Sequence, residues 1–236
     1  MNAPTTTLGR AFRAASTLLA VALLVGCATT DTGESRMSSA EPDKLVADAQ
    51  KTFDNFLRDP DQTWVQENLG RARAVLIVPQ IVKAGFIFGG SGGRGVLVAR
   101  DGRTWYGPAF YDLATASVGF QAGLEVSEAL ILVMTEKGLN SLMASTFKIG
   151  GDASIAAGPV GAGAKSTITA DLVSFTRSKG VYGGVNLDGT VVHTNGSWTD
   201  AYYHRRNVLP PDIVMRHTIQ SPKAGPLLTQ VANAMK

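Results

Sequence analysis

Short runs rich in Val, Ile, Leu and Phe, separated by glycine clusters, fill the chain between Arg73 and Thr194, and this punctuation is its strongest constraint on fold. Glycine weakens the interior of helices and strands but permits tight turns. Ala74-Val75-Leu76-Ile77-Val78 reads as a strand that Pro79 ends. Ala84 to Phe88 and Val96 to Ala99 read as two strands joined by a flexible turn at Gly89 to Gly95, and Asp101-Gly102 marks the next turn before Thr104-Trp105-Tyr106. Ala116 to Leu124, Leu130 to Thr135, Ile168 to Thr176, Val181 to Asn186 and Thr190 to Thr194 are further strand candidates. Helical spacing occurs in four places. Pro42 can open a first helix whose apolar face is Leu45, Val46, Ala49, Phe53, Phe56 and Leu57, before Asp59-Pro60. Gln62 to Leu69, Glu136 to Ser145 and Pro226 to Met235 are the others. Strands do not alternate with long helices, so a doubly wound fold is excluded. The pattern predicts an α+β fold: a β-rich curved antiparallel sheet or barrel with N-terminal helices and one inserted helix.

The N-terminus carries Arg10 and Arg13, then an Ala/Leu/Val-rich stretch from Ala14 to Val25, then Leu24-Val25-Gly26-Cys27. A positive region, a short apolar run and small residues at the cut make a secretory signal. The run is shorter than the roughly 20 apolar residues that span a bilayer. Its end resembles the lipobox of bacterial lipoproteins. That resemblance implies cleavage before Cys27, a diacylglyceryl group on its thiol and an acylated new N-terminus, with chains such as palmitate. One acyl chain binds a membrane only marginally, but several together anchor firmly. Ala28 rather than Asp after the cysteine favours the outer membrane by the same resemblance. The expected organisation is therefore signal peptide 1–26, flexible lipidated tether 27–42 and domain 43–236.

The chain has 22 basic and 19 acidic residues; without Arg10 and Arg13 the basic count falls to 20. A near-neutral domain gives no support for a nucleic-acid partner. Cys27 is the single cysteine, so disulfides and cysteine metal sites within the chain are excluded. Catalytic motifs fail in turn. Gly89-Gly90-Ser91-Gly92-Gly93 matches a nucleophile elbow, but the strand-like Arg94 to Val98 follows where a helix is required. Gly90-x-Gly92-x-x-Gly95 lacks the helix of a dinucleotide site for the same reason. Gly158 to Ser166 is one residue too long for a phosphate loop, which puts Lys165 out of register. His193, His204 and His217 have no metal-pair spacing. Neither an enzyme nor a metal or cofactor is expected.

Five segments in order resemble the SYLF family. They are Lys83 to Gly90, Trp105 to Phe110, Ala116 to Gly123, Gly158-Pro159-Val160-Gly161 and Ser178 to Gly189. Ser117-Val118-Gly119-Phe120-Gln121 and Ser178-Lys179-Gly180 are the most specific strings. Phe175 departs from the tyrosine often found there. The resemblance implies a compact β-rich domain with helices that binds phospholipid. In a bacterial envelope the headgroup would be an anionic lipid other than a phosphoinositide.

The residues suggest how. Lys44, Lys51 and Arg58 recur along one stripe of the first helix, beside Phe53, Phe56 and Leu57. Such a helix can lie in a headgroup layer, each cation contributing about 1 kcal/mol. Alternatively its apolar side packs on the sheet and Asp48 pairs with Lys44. The leading expectation is an outer-membrane lipoprotein, facing the periplasm, that binds anionic phospholipid headgroups. The alternative is a structural envelope lipoprotein with a protein partner, contacted by Tyr202-Tyr203-His204-Arg205-Arg206.

Overall fold

The computed structural model describes residues 38–85, 88–118, 123–161, 168–178 and 187–235. Cys27 and the candidate strand Val181 to Asn186 lie outside them.

The first helix, α1 (Ala40–Arg58), begins two residues before Pro42, which lies in its first turn. Glu41 and Asp43 in its first turn and Arg58 in its last complement the helix dipole. Pro42, Val46, Ala49, Phe53 and Phe56 are buried at alternating spacings of four and three, which gives one seam. Asp59 closes the helix, its Oδ1 accepting from the Asp61 N–H at 2.9 Å. α2 (Thr63–Asn68) follows.

Eight strands then form one sheet: β1 (Ala74–Gly85), β2 (Phe88–Asp101), β3 (Thr104–Val118), β4 (Gly123–Val133), β5 (Thr146–Lys148), β6 (Ile155–Ala157), β7 (Leu172–Ser178) and β8 (Val191–Thr194). The order is β5-β8-β3-β2-β1-β4-β7-β6, antiparallel except for β6 against β7. The sheet curls as a half-barrel, and its two edge strands are joined through the short turn that pairs Ile149 with Ala153. The remaining helices are α3 (Glu136–Leu142), α4 (Gly196–Tyr203), α5 (Pro210–Val214) and α6 (Gly225–Asn233). The expected α+β curved sheet is what the chain forms.

Two expectations fail at the centre of the sheet. Pro79 does not end its strand: β1 continues to Gly85, with a register shift between Ile77 and Gln80 against β2 and between Val78 and Ile81 against β4. A central strand tolerates proline only at such a bulge, where no ladder N–H is required. The glycine cluster is likewise no turn, since Gly89 to Arg94 pair with β1 and Gly89 to Gly95 pair with β3. A Cβ on Gly93 would stand 2.6 Å from the Gln80 carbonyl oxygen, and one on Gly95 would stand 2.9 Å from that of Ile77. These glycines let β2 pass beneath the bulge. Ala116 and Leu124 belong to two strands, β3 and β4, rather than one. The short edge strands β5 and β6, and helices α4 and α5, were not anticipated.

Each face of the sheet holds a core. Leu76, Leu97, Tyr111, Ile131, Phe147 and Leu172 pack inside the curl, closed by α3 and α5 through Leu142 and Ile213. Val75, Ile77, Val96, Phe110, Leu130 and Phe175 line the outer face, covered by Phe53 and Phe56 of α1, Trp64 of α2, Tyr202 of α4 and Leu227 of α6.

Candidate functional site

On the outer face, strand register sorts side chains into rows. Beyond the helix-covered core lies a polar row: Arg177 opposite Glu128, then Gln80 opposite Arg94, Arg94 opposite Asp112, and Asp112 opposite His193. It is internally paired. Arg177 bonds Glu128, Arg94 Nε donates to Asp112 Oδ1 at 3.1 Å, and Thr146 Oγ1 lies 2.7 Å from His193 Nδ1.

Past this row the face turns apolar again, and no helix covers it among the described residues. Val126, Val82, Gly92, Ala114 and Val191 stand side by side across β4, β1, β2, β3 and β8. Leu124, Ala84, Gly90 and Ala116 form the next row. Leu124 is 67% exposed, Val126 39% and Val82 37%. The opposite face of the same strands carries Lys83, Ser91, Glu125 and Ser127, and Ser178 Oγ donates to Glu125 Oε1 at 2.5 Å. This end of the sheet is therefore amphipathic, with its apolar side turned to solvent. Contiguous exposed apolar surface rimmed by polar groups marks a binding site for protein, ligand or membrane.

A groove of about 580 Å³ opens where α1 meets this face. Glu41, Lys44, Leu45 and Asp48 form one wall, and Pro79, Gln80 and Val82 of the bulged strand, Gly92 to Arg94, Asp112, Leu113 and Trp198 form the rest. Trp198 is set by α4: Asn195 caps that helix by accepting from the Trp198 N–H at 3.0 Å, and its Nδ2 donates to Asp112 Oδ2 at 2.9 Å. The indole is thereby placed beneath Arg94, whose guanidinium carbon lies 4.5 Å from the ring centroid. A cation over tryptophan contributes about 0.5–1 kcal/mol at an exposed site.

Of the residues singled out from sequence, Lys44 lines the groove; Lys51 and Arg58 do not. All three are exposed and paired within α1. Lys44 meets Asp48 at 2.5 Å, Lys51 meets Asp48 at 3.8 Å and Arg58 meets Asp54 at 2.8 Å. Phe53 and Phe56 are fully buried, so the apolar side of α1 packs on the sheet rather than facing a headgroup layer. The tyrosine cluster is corrected as well. Tyr202 is buried and its phenol is pushed up to about 12 by burial. The Tyr203 hydroxyl donates to the Pro108 carbonyl at 3.0 Å. Only His204, Arg205 and Arg206 remain at the surface. Sequence reasoning missed Arg94, Asp112 and Trp198. The available signal was the alternation of small or apolar residues at 82/84, 90/92, 114/116 and 124/126, which the proline and glycines disguised. Among the described residues no cluster of His, Cys, Asp and Glu suits a metal. No helix among them is long and apolar enough to cross a membrane.

Comparison with known proteins extends this picture. Residues 114–234 match the family model for Ysc84, described as "Las17-binding protein actin regulator". The chain is similar to "LAS seventeen-binding protein 3" of Saccharomyces cerevisiae (strain ATCC 204508 / S288c), with 33% identity over 141 residues, 56% of this chain and 30% of that protein. It is similar to "SH3 domain-containing YSC84-like protein 1" of Homo sapiens, with 27% identity over 170 residues, 65% of this chain and 49% of that protein. This chain thus matches half or less of the length of each.

Proposed function

Since this chain belongs to the Ysc84 family, also called SYLF, we propose that it is a membrane-anchored binding module of the cell envelope whose sheet domain engages anionic phospholipid. The observation that carries the reading is the exposed apolar end of the outer face, bounded by a polar row with a tryptophan beside it. Apolar surface, then charged and hydrogen-bonding groups, then an interfacial indole follow the order of chains and headgroups at a membrane surface.

Cys27, acylated after removal of 1–26, would hold the protein at the outer membrane facing the periplasm, with 27–42 as the tether. Lys44, Lys51 and Arg58 would attract the anionic surface, each by at most about 1 kcal/mol. Their pairing with Asp48 and Asp54 reduces that attraction. The activity is binding rather than catalysis. With the anchor fixed by Cys27, the domain's own lipid contact would set its orientation or recognise particular lipids.

The mature chain from residue 27 onward, carrying Cys27→Ala and so neither the apolar 14–25 run nor acyl chains, isolates the domain's own membrane contact. It should sediment with phosphatidylglycerol vesicles at low salt and be released as salt rises. Absence from the pellet at low salt overturns the reading. A second reading, a protein partner, is favoured by the family's description as Las17-binding. It predicts one dominant crosslinked protein in cells.

A further inference from the structure

We propose that Gly90 and Gly92 form the floor of a trough for one acyl chain of a phospholipid, whose phosphate is held by Arg94 above Trp198. The inference rests on the phospholipid reading and gives it a location away from the exposed stripe of α1.

The glycines of β2 divide into two sets by the face they occupy. Gly93 and Gly95 are required inside the fold, where a Cβ would meet backbone oxygen at 2.6 and 2.9 Å. Gly92 is not: a Cβ there would lie 3.6 Å from the Leu113 carbonyl oxygen, an ordinary contact. At Gly90 the nearest atom would be the Thr115 carbonyl oxygen at 3.3 Å, a tighter contact that a shift of a few tenths of an ångström relieves. A glycine inside a strand costs stability, and where the fold does not need it, it marks close approach by a ligand or another backbone. The bare backbone at Gly92 and Gly90 is continued by Ala114 and Ala116 on β3 and by Ala84 on β1, while Val82, Val126 and Leu124 rise on one side and Val191 on the other. The result is a strip without bulk between branched walls, suited to a slim, unbranched chain.

The strip ends at the groove of about 580 Å³, within the range of about 300–1,000 Å³ usual for small-molecule sites. There Arg94 uses Nε for Asp112 and its face for Trp198. Its two Nη groups have no partner among the described residues, and a guanidinium edge presents paired donors to phosphate oxygens. Asp112 is engaged by both Arg94 and Asn195, and Asp48 by both Lys44 and Lys51, so these two carboxylates are compensated, while Glu41 on the α1 wall has no ion pair among the described residues. A ligand charged at one end and apolar along its length matches this layout.

The test uses the mature chain from residue 27 onward with Cys27→Ala, and vesicles of phosphatidylglycerol. Gly92→Val places a branched side chain in the strip at a strand position that favours it. It should keep or raise the melting temperature and weaken vesicle binding at least about tenfold, the scale of one misfitted group in an apolar site. Ala116→Leu should do the same from the neighbouring strand and stands in if Gly92→Val does not fold. Titration with dihexanoyl phosphatidylglycerol should change tryptophan emission, and Trp198→Phe should abolish the change. A folded Gly92→Val or Ala116→Leu that binds vesicles as tightly as its parent overturns the trough alone. A parent chain that does not bind vesicles overturns the phospholipid reading and the trough together.

Discussion

Asp171 joins three parts of the chain through its carboxylate. It accepts from Thr135 Oγ1 at 2.6 Å, from the Ser154 N–H at 3.0 Å and from Ser154 Oγ at 2.8 Å, with Lys137 Nζ 3.4 Å away. The Thr135 hydroxyl and the Ser154 amide are the larger causes that hold this acid well below its ordinary 3.8. Because the folded value is depressed, its stabilisation is complete at neutral pH. It fades as pH falls below the ordinary carboxylate value toward the folded one. Acid titration of stability should therefore show a loss beginning near pH 4, and Asp171→Asn should flatten that slope while lowering stability at pH 7. An unchanged acid limb in the variant would contradict the assignment. The glycines of β2 give a second residue-scale contrast. Gly93→Ala forces a Cβ against backbone and should cost about 1–3 kcal/mol. Gly92→Ala, on the open face, should be neutral or stabilising by up to about 1 kcal/mol. Chemical denaturation of the two variants reads the difference directly. None of this was legible in the string Gly89 to Gly95, where every glycine looks alike. Strand register gives each its separate meaning.

Among the elements, α1 was the most readable and the most easily misassigned. Its seam of Val46, Ala49, Phe53 and Phe56 was evident from spacing, but spacing alone does not say whether a membrane or a sheet receives it. The sheet receives it, and Phe53→Ala should cost about 3–5 kcal/mol as a core cavity. Thermal unfolding checks this, and a change under 1 kcal/mol would remove α1 from the core. The cations on the outside behave differently. Lys44→Gln, Lys51→Gln and Arg58→Gln together break only exposed pairs, each worth about 0–1 kcal/mol. They should barely alter melting, yet reduce vesicle binding at low salt. Binding unchanged in that triple variant would confine lipid contact to the sheet. β1 shows the opposite limit of sequence reading. A proline after five apolar residues looks like a terminus, and only the bulge that absorbs it reveals one strand from Ala74 to Gly85.

At the scale of the whole molecule, the fold class was readable because many short apolar runs with turn signals leave few architectures available. Pairing order was not, since β5 joins β8 and β6 joins β7 through contacts far apart in sequence. The site was harder still. Its rows are assembled from β1, β2, β3, β4 and β8, and each strand contributes only one or two residues. In the proposed reading Cys27 would set where such a protein lives, and the open outer face would set what it does there. The single cysteine also supplies the decisive experiment. In the mature chain from residue 27 onward with Cys27→Ala, one new cysteine at Ala116, on the apolar row, or at Asn140, exposed on α3, can carry a polarity-sensitive fluorophore. On addition of phosphatidylglycerol vesicles, the label at Ala116 should shift to shorter wavelength and the label at Asn140 should not. A silent label at Ala116 on vesicle-bound protein, or equal shifts at both positions, would contradict lipid binding by the outer face of the sheet.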